Sequence, residues 1–156
     1  MTPREEKVAY LPTVIVRHSH ENPRKCSVLP LRDRQDVIFL HYPLRQRPEL
    51  EGYIRLAAEG PELSAADAGA GLLLVDGSWR WAAKMSRDFL DLPPRSLTSW
   101  RTAYPRTSKR GTDPVNSLAS VEALFAAYHI LGRSIDGLLD DYRWAEEFLR
   151  ANSFSS

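Results

Sequence analysis

Two kinds of apolar pattern alternate along the chain. Residues 13–17 (Thr-Val-Ile-Val-Arg) and 36–40 (Asp-Val-Ile-Phe-Leu) are short, β-branched or aromatic stretches that read as strands. Leu50, Tyr53, Ile54 and Ala57 recur at helical spacing and predict a helix over residues 48–59, with Pro61 marking its end. Residues 72–75 (Leu-Leu-Leu-Val) form an uninterrupted apolar run, the pattern of a strand buried on both faces. Trp79, Ala82, Ala83, Ser86, Phe89 and Leu90 then give a mixed helical stripe that Pro93-Pro94 must stop. Residues 97–100 are a candidate fourth strand, and residues 101–116 hold too many Arg, Thr, Gly and Pro to pack as an element. Val121, Leu124, Phe125, Tyr128 and Leu131 line one helix face, with Ser117 or Ser120 as cap and Gly132 as stop. Ile135, Leu138, Leu139, Tyr142, Ala145 and Leu149 line a final helix opened by Ser134. This order predicts one α/β domain with a mostly parallel sheet over residues 13–152, after an amino-terminal extension of residues 1–12.

The densest chemistry follows the strand at 72–75. Asp76-Gly77-Ser78 is turn and N-cap chemistry for the next helix. In open α/β sheets ligands bind in the crevice beyond the carboxyl ends of the strands. Asp76 and Trp79 are therefore expected at a mouth. A carboxylate there can have a raised pKa suited to base work, or can simply cap a helix. Trp79 reads equally as the core anchor of its helix.

Composition narrows the class without naming a chemistry. With 43% hydrophobic and 26% charged residues in 156, the chain has the makeup of a soluble globular domain, not of a disordered or fibrous one. Residues 1–9 are charged and lack the apolar core of a signal peptide, and no apolar run approaches a membrane span, so a cytoplasmic protein is expected. Cys26 is the single cysteine, which excludes an intrachain disulfide and a cysteine-based zinc cluster.

The net charge of +1 conceals an asymmetry. Residues 95–112 carry five bases (Arg95, Arg101, Arg106, Lys109, Arg110) and no acid, with Trp100 and Tyr104 among them, whereas residues 113–156 carry seven acids against three bases. Phosphates need Lys and Arg, and unpaired bases need flat apolar faces, so the segment fits RNA or single-stranded DNA. A solvated, merely solubilising loop has the same composition.

Other site types fall away. Gly69-Ala-Gly71 lacks the third glycine of a dinucleotide fingerprint and precedes its strand, and Lys109-Arg110-Gly111 is no phosphate loop. His18 and His20 alternate at strand spacing, but ligate a metal only if carboxylates converge on them; a hydrogen-bonded strand-end histidine is the simpler reading. Cys26 beside Lys25 reads as a small packed hydrophobe. No Gly-x-Ser-x-Gly elbow is present.

Three segments in order resemble a known superfamily. Asn22-Pro-Arg-Lys-Cys-Ser27, Val75-Asp-Gly-Ser-Trp79 with Ala82 one turn on, and Leu118-Ala-Ser-Val-Glu-Ala-Leu124 are similar to segments of the RNA aminocarboxypropyltransferases, over about residues 13–150. The segment at 22–27 and Tyr142-Arg-Trp-Ala-Glu-Glu-Phe-Leu look like the branch that modifies small-subunit ribosomal RNA. Leu40-His-Tyr-Pro43 and Asp76-Gly-Ser-Trp79 with Lys84-Met85 look more like the DTW-domain branch, which modifies tRNA uridines and carries cysteine clusters that this chain lacks. Tyr104-Pro-Arg106 stands where the ribosomal branch usually has Asn-Pro. The ends of the chain favour the ribosomal branch.

The resemblance implies a SPOUT-like knotted fold and S-adenosylmethionine as donor, with transfer of its 3-amino-3-carboxypropyl group to a uridine-type base and no metal. It implies that Trp79 and Ala82 wall the donor methyl, that Asp76 holds the donor ammonium or takes the base proton, and that Ser27 meets the donor carboxylate, with Leu97 and Leu118 flanking the adenine. Residues three apart on a helix share a face, and an indole attracts a sulfonium. Arg24, Lys25, Arg101, Arg106, Lys109 and Arg110 are the expected phosphate contacts, with Trp100 or Tyr104 stacking a base in structured RNA. Ordinary methyl transfer to RNA, or RNA binding without catalysis, fits the same residues.

Overall fold

The structure, a computed structural model, describes residues 10–18, 27–76, 79–104 and 118–154. Five strands, β1 (Thr13–His18), β2 (Val37–Tyr42), β3 (Tyr53–Leu56), β4 (Gly71–Asp76) and β5 (Pro94–Arg95), form one sheet in the order β2-β1-β4-β3-β5. Every pairing is parallel. The helices are α1 (Trp79–Ser86), α2 (Ser120–Ile130) and α3 (Ala145–Ala151), with α1 extended by a 3-10 turn over Arg87–Phe89.

Period-2 alternation on a sheet covered on both faces sorts the side chains into two cores. Val14, Val16, Tyr53 and Leu73 pack on one face with Met85 and Phe89 of the α1 region. Ile15, Ile54, Leu56, Leu72 and Leu74 pack on the other with Val121, Leu124, Phe125 and Tyr128 of α2 and Phe148 of α3. Because both faces are buried, the central strands read as near-continuous apolar runs, and the sequence reveals β1 and β4 clearly.

Residues 48–59 are not a helix. Tyr53–Leu56 is an inner strand between β4 and β5, buried at all four positions. Its spacing mimics a helix because consecutive residues are buried on opposite faces. Gly52, at φ +82°, and Gly60, at φ +95°, stand on either side of this strand in a left-handed conformation that side chains disfavour. Residues 97–100 are not a strand either. The fifth strand is Pro94–Arg95, continued by a bridge between Glu62 and Ser96, and the chain then turns, with Trp100 N donating to Leu97 O. Pro94 is admissible there because β5 lies at the sheet edge.

The last helix is shorter than its apolar spacing predicts. Turns closed by Leu138 N to Ile135 O and Tyr142 N to Leu139 O precede α3, and Gly137 at φ +79° breaks helical continuation. Leu138 and Tyr142 are nonetheless buried. Among the described side chains of α1 and the turn after it, Met85 and Phe89 are buried and Trp81 is half-buried beside them; Ala83 and Leu90 of the predicted stripe are exposed. The predicted apolar positions of α2 are buried and Gly132, at φ +74°, stops the helix as expected, but burial runs through every residue from Val121 to Tyr128 instead of along one face. The N-cap is Ala119, and the cap is closed by Glu122, which accepts from Ala119 N at 2.8 Å.

Two buried polar clusters escaped the pattern. Glu122, with no exposed surface, accepts four hydrogen bonds, from Thr102 Oγ1 (2.6 Å), Ala119 N (2.8 Å), Ala103 N (2.8 Å) and Tyr142 Oη (2.9 Å). It ties the segment after β5 to α2 and to the turn before α3. At the amino end of the sheet, Asp36 accepts from Arg34 Nε and Nη2, Tyr10 Oη and Tyr128 Oη. Burial pushes the Asp36 carboxyl up, but the Arg34 and tyrosine hydrogen bonds outweigh it and hold the group below the ordinary carboxylate range. Burial also pushes the Tyr128 phenol upward. Arg133 stacks over Tyr10, 4.0 Å from ring centroid to guanidinium, and donates to Ala68 O and Ala70 O.

Candidate functional site

Parallel register fixes the site. Arg17 of β1 lies opposite Asp76 of β4 at the carboxyl ends of these two adjacent inner strands, and both side chains point to the α2 face. Arg17 Nε stands 3.5 Å from Asp76 Oδ2, and each side chain is 8% exposed. Ser120, the first residue of α2, donates its hydroxyl to Asp76 Oδ1 at 2.5 Å. Ser27 Oγ accepts from Val121 N, the next residue of the same helix, at 3.1 Å. Three distant parts of the chain thus meet at the start of α2, where unpaired backbone N–H groups need acceptors.

Of the residues singled out in the sequence, Asp76 and Ser27 therefore converge, and Leu118 lies two residues before Ser120. Leu118 and Leu97 are half-buried and pack against the core on the α2 face. Ala82 is half-buried on α1, which starts three residues after Asp76. Trp79 opens that helix; its side chain lies outside the described residues. Arg24, Lys25, Arg106, Lys109, Arg110 and His20 also lie outside them.

The aromatic pair of the basic segment is used in packing. Trp100 is half-buried among Phe125, His129, Phe148 and Phe154, lying stacked 6.0 Å from Phe148 and tilted 5.6 Å from Phe154. Tyr104 meets Trp144 edge-on at 5.1 Å. Arg101 exposes its side chain while Asn152 holds its backbone both ways, accepting from Arg101 N and donating to Arg101 O, each at 2.8 Å. Two concavities, of about 390 and 490 Å³, open beside Thr98–Arg101, the first bounded also by Ala151, Asn152 and Ser153.

Sequence reading missed four residues of this edge. Arg17 and Ser120 partner Asp76. Glu62 accepts from the backbone and hydroxyl of both Thr98 and Ser99, which outweighs its burial and lowers its pKa. Glu122 holds Thr102 and Ala103. The two glutamates pin the segment after β5; Glu62 stands in no motif, and Glu122 lies within the Leu118–Leu124 segment without a spacing that singles it out. On the opposite sheet face, His18 stacks on Trp81 at 3.7 Å, and Lys84 Nζ lies 5.2 Å from the centre of that indole. Among the described residues no three or more His, Cys, Asp or Glu side chains gather as a metal site, and no helix is long and apolar enough to cross a membrane.

The described residues form a single α/β domain with a five-stranded all-parallel sheet, and Arg17, Asp76, Ser27 and Ser120 gather where β1 and β4 end and α2 begins. No protein-family model and no curated protein matches the chain in sequence. Among solved structures, the chain is similar to Tsr3, the SAM-dependent rRNA:acp-transferase from Vulcanisaeta distributa, with a TM-score of 0.68 and 21% identity over 92% of this chain and 79% of that one. The chain shares that protein's fold.

Proposed function

We propose that this protein is an S-adenosylmethionine-dependent transferase that moves the 3-amino-3-carboxypropyl group to a uridine-type base in structured RNA, ribosomal RNA in preference to transfer RNA. The observation that carries the reading is the convergence of Asp76, Ser120 and Ser27 at the start of α2, on the ligand edge of a fold shared with an rRNA acp-transferase. In this reading a nucleophilic base nitrogen attacks the γ-carbon of the donor's methionine side chain, and methylthioadenosine leaves. Asp76 binds the donor ammonium or takes the base proton, and Trp79 and Ala82 wall off the methyl. Holding donor and base in line supplies much of the acceleration.

The exposed Arg101 side chain supports a phosphate contact beside the Thr98–Arg101 concavity, and the remaining bases of residues 95–112, with Arg24 and Lys25, extend it. Tyr104 is the better candidate than Trp100 for stacking a base, since several aromatic side chains crowd the Trp100 ring. The domain spans residues 13–152, and the knotted path implied by the resemblance belongs to the same proposal.

Purified protein is incubated with ribosomal and transfer RNA and with donor labelled either in the carboxypropyl group or in the methyl. Carboxypropyl label entering ribosomal RNA supports the reading. Methyl label alone assigns ordinary methyl transfer, and RNA retention with no transfer of either label assigns a binding module.

A further inference from the structure

A buried ion pair repays the desolvation of its charges only when the geometry is tight and the remaining polar atoms are satisfied. The pair at the ligand edge is loose. Arg17 Nε and Asp76 Oδ2 are 3.5 Å apart, beyond the roughly 2.7–2.9 Å of a charge-assisted N–H···O bond. The two residues sit side by side in register on adjacent parallel strands, at the end where ligands bind in such sheets. A fixed cation beside a fixed anion, both largely withdrawn from water, is complementary to a ligand that carries the opposite charges equally close together. An α-amino acid head group has that chemistry, with an ammonium and a carboxylate on one carbon.

We propose that Arg17 and Asp76 are the two poles of a receptor for the amino-acid head of the donor, Asp76 taking the α-ammonium and Arg17 the α-carboxylate. This assignment rests on the donor reading above and adds Arg17 to it. The neighbouring hydroxyls fit these roles. Ser120 donates to Oδ1 of Asp76, which orients the carboxylate and leaves Oδ2 toward Arg17. Ser27 accepts from Val121 N, so its own hydroxyl proton can be donated to a carboxylate oxygen of the ligand. Head-group binding gives the guanidinium and the carboxylate one charge-assisted contact each with the ligand, and fixing both charged substituents of the α-carbon fixes the direction of the chain to be transferred.

The test is calorimetric binding of three probes to the full chain: S-adenosylmethionine, its decarboxylated analogue, which keeps the ammonium, and 5′-methylthioadenosine, which lacks the whole head. Wild-type protein is expected to prefer S-adenosylmethionine to the decarboxylated analogue by about 10- to 100-fold, the range for a hydrogen bond to a charged group. Arg17→Gln removes that preference and leaves methylthioadenosine affinity unchanged. Arg17→Lys keeps the charge without the planar fork and retains a reduced preference, which provides the reading if Arg17→Gln does not fold. Equal weakening of all three probes by the Arg17 variants makes Arg17 merely structural and overturns the assignment, as does a wild type that binds the first two probes equally. A wild type that binds none of the three overturns the transferase reading itself.

Discussion

Replacing Glu122 by glutamine keeps the shape of a fully buried side chain and removes one charge and one acceptor. Each oxygen of Glu122 accepts from one backbone N–H and one hydroxyl: Ala119 N and Thr102 Oγ1 on Oε1, Ala103 N and Tyr142 Oη on Oε2. Whichever way the amide of glutamine faces, its NH₂ meets one of those pairs. The hydroxyl rotates to accept, but the backbone N–H cannot, and one buried donor is left unpaired. That costs roughly 1–3 kcal/mol, and the surviving bonds lose their charge assistance, partly offset by the easier burial of a neutral group. The expected net loss is about 2–3 kcal/mol, or about 4–12 °C in Tm for a chain of this size. Urea unfolding followed by circular dichroism measures it, with an unchanged slope showing that both end states are preserved. Hydrogen exchange adds a local signature, since the Ala103 and Ala119 amides should exchange faster than the rest of α2. A loss below about 0.5 kcal/mol would refute the claim that this carboxylate organises the segment after β5.

Asp36→Asn should destabilise the protein at neutral pH by about 1–3 kcal/mol, because its bidentate bond with Arg34 loses its charge. The folded-state pKa of Asp36 is depressed, so its contribution is complete above the unfolded value of about 3.9 and is lost as pH falls through the folded one. Urea midpoints below about pH 4 should therefore fall more steeply for the wild type than for the variant, and parallel acid limbs would contradict this. At Gly71, an added Cβ would lie 2.6 Å from the Tyr53 ring, which is pinned by the hydroxyl's bond to Pro12 O. Gly71→Ala should cost about 1–3 kcal/mol by thermal melting, and an unchanged Tm would show that the ring can yield. Trp100→Ala should cost about 3–5 kcal/mol by loss of the aromatic cluster. Arg101→Ala, by contrast, should leave stability within about 0.5 kcal/mol and lower the salt slope of RNA binding by about one; an unchanged slope in filter binding would remove Arg101 from the interface.

Local signals in the sequence suffice for the α/β class, strands β1 and β4, the apolar positions of α2 with its Gly132 stop, and the carboxylate at the end of β4. Each is a local signal: β-branched runs, a 3.6-residue period, a glycine where φ must be positive, an acid followed by turn residues. Tertiary structure alone decided that residues 53–56 are a strand, since burial on both faces erases the alternation that separates strand from helix in a short apolar run. It also decided that Gly137 shortens the last helix, and that Trp100 packs among Phe148 and Phe154. Above all it decided the partners of Asp76. Arg17 is 59 positions away and Ser120 is 44, and no spacing along the chain encodes a register between parallel strands or the helix start that closes over them. The carboxylate was legible because its surroundings in sequence mark it; the charge it faces was not, because that charge arrives through the fold.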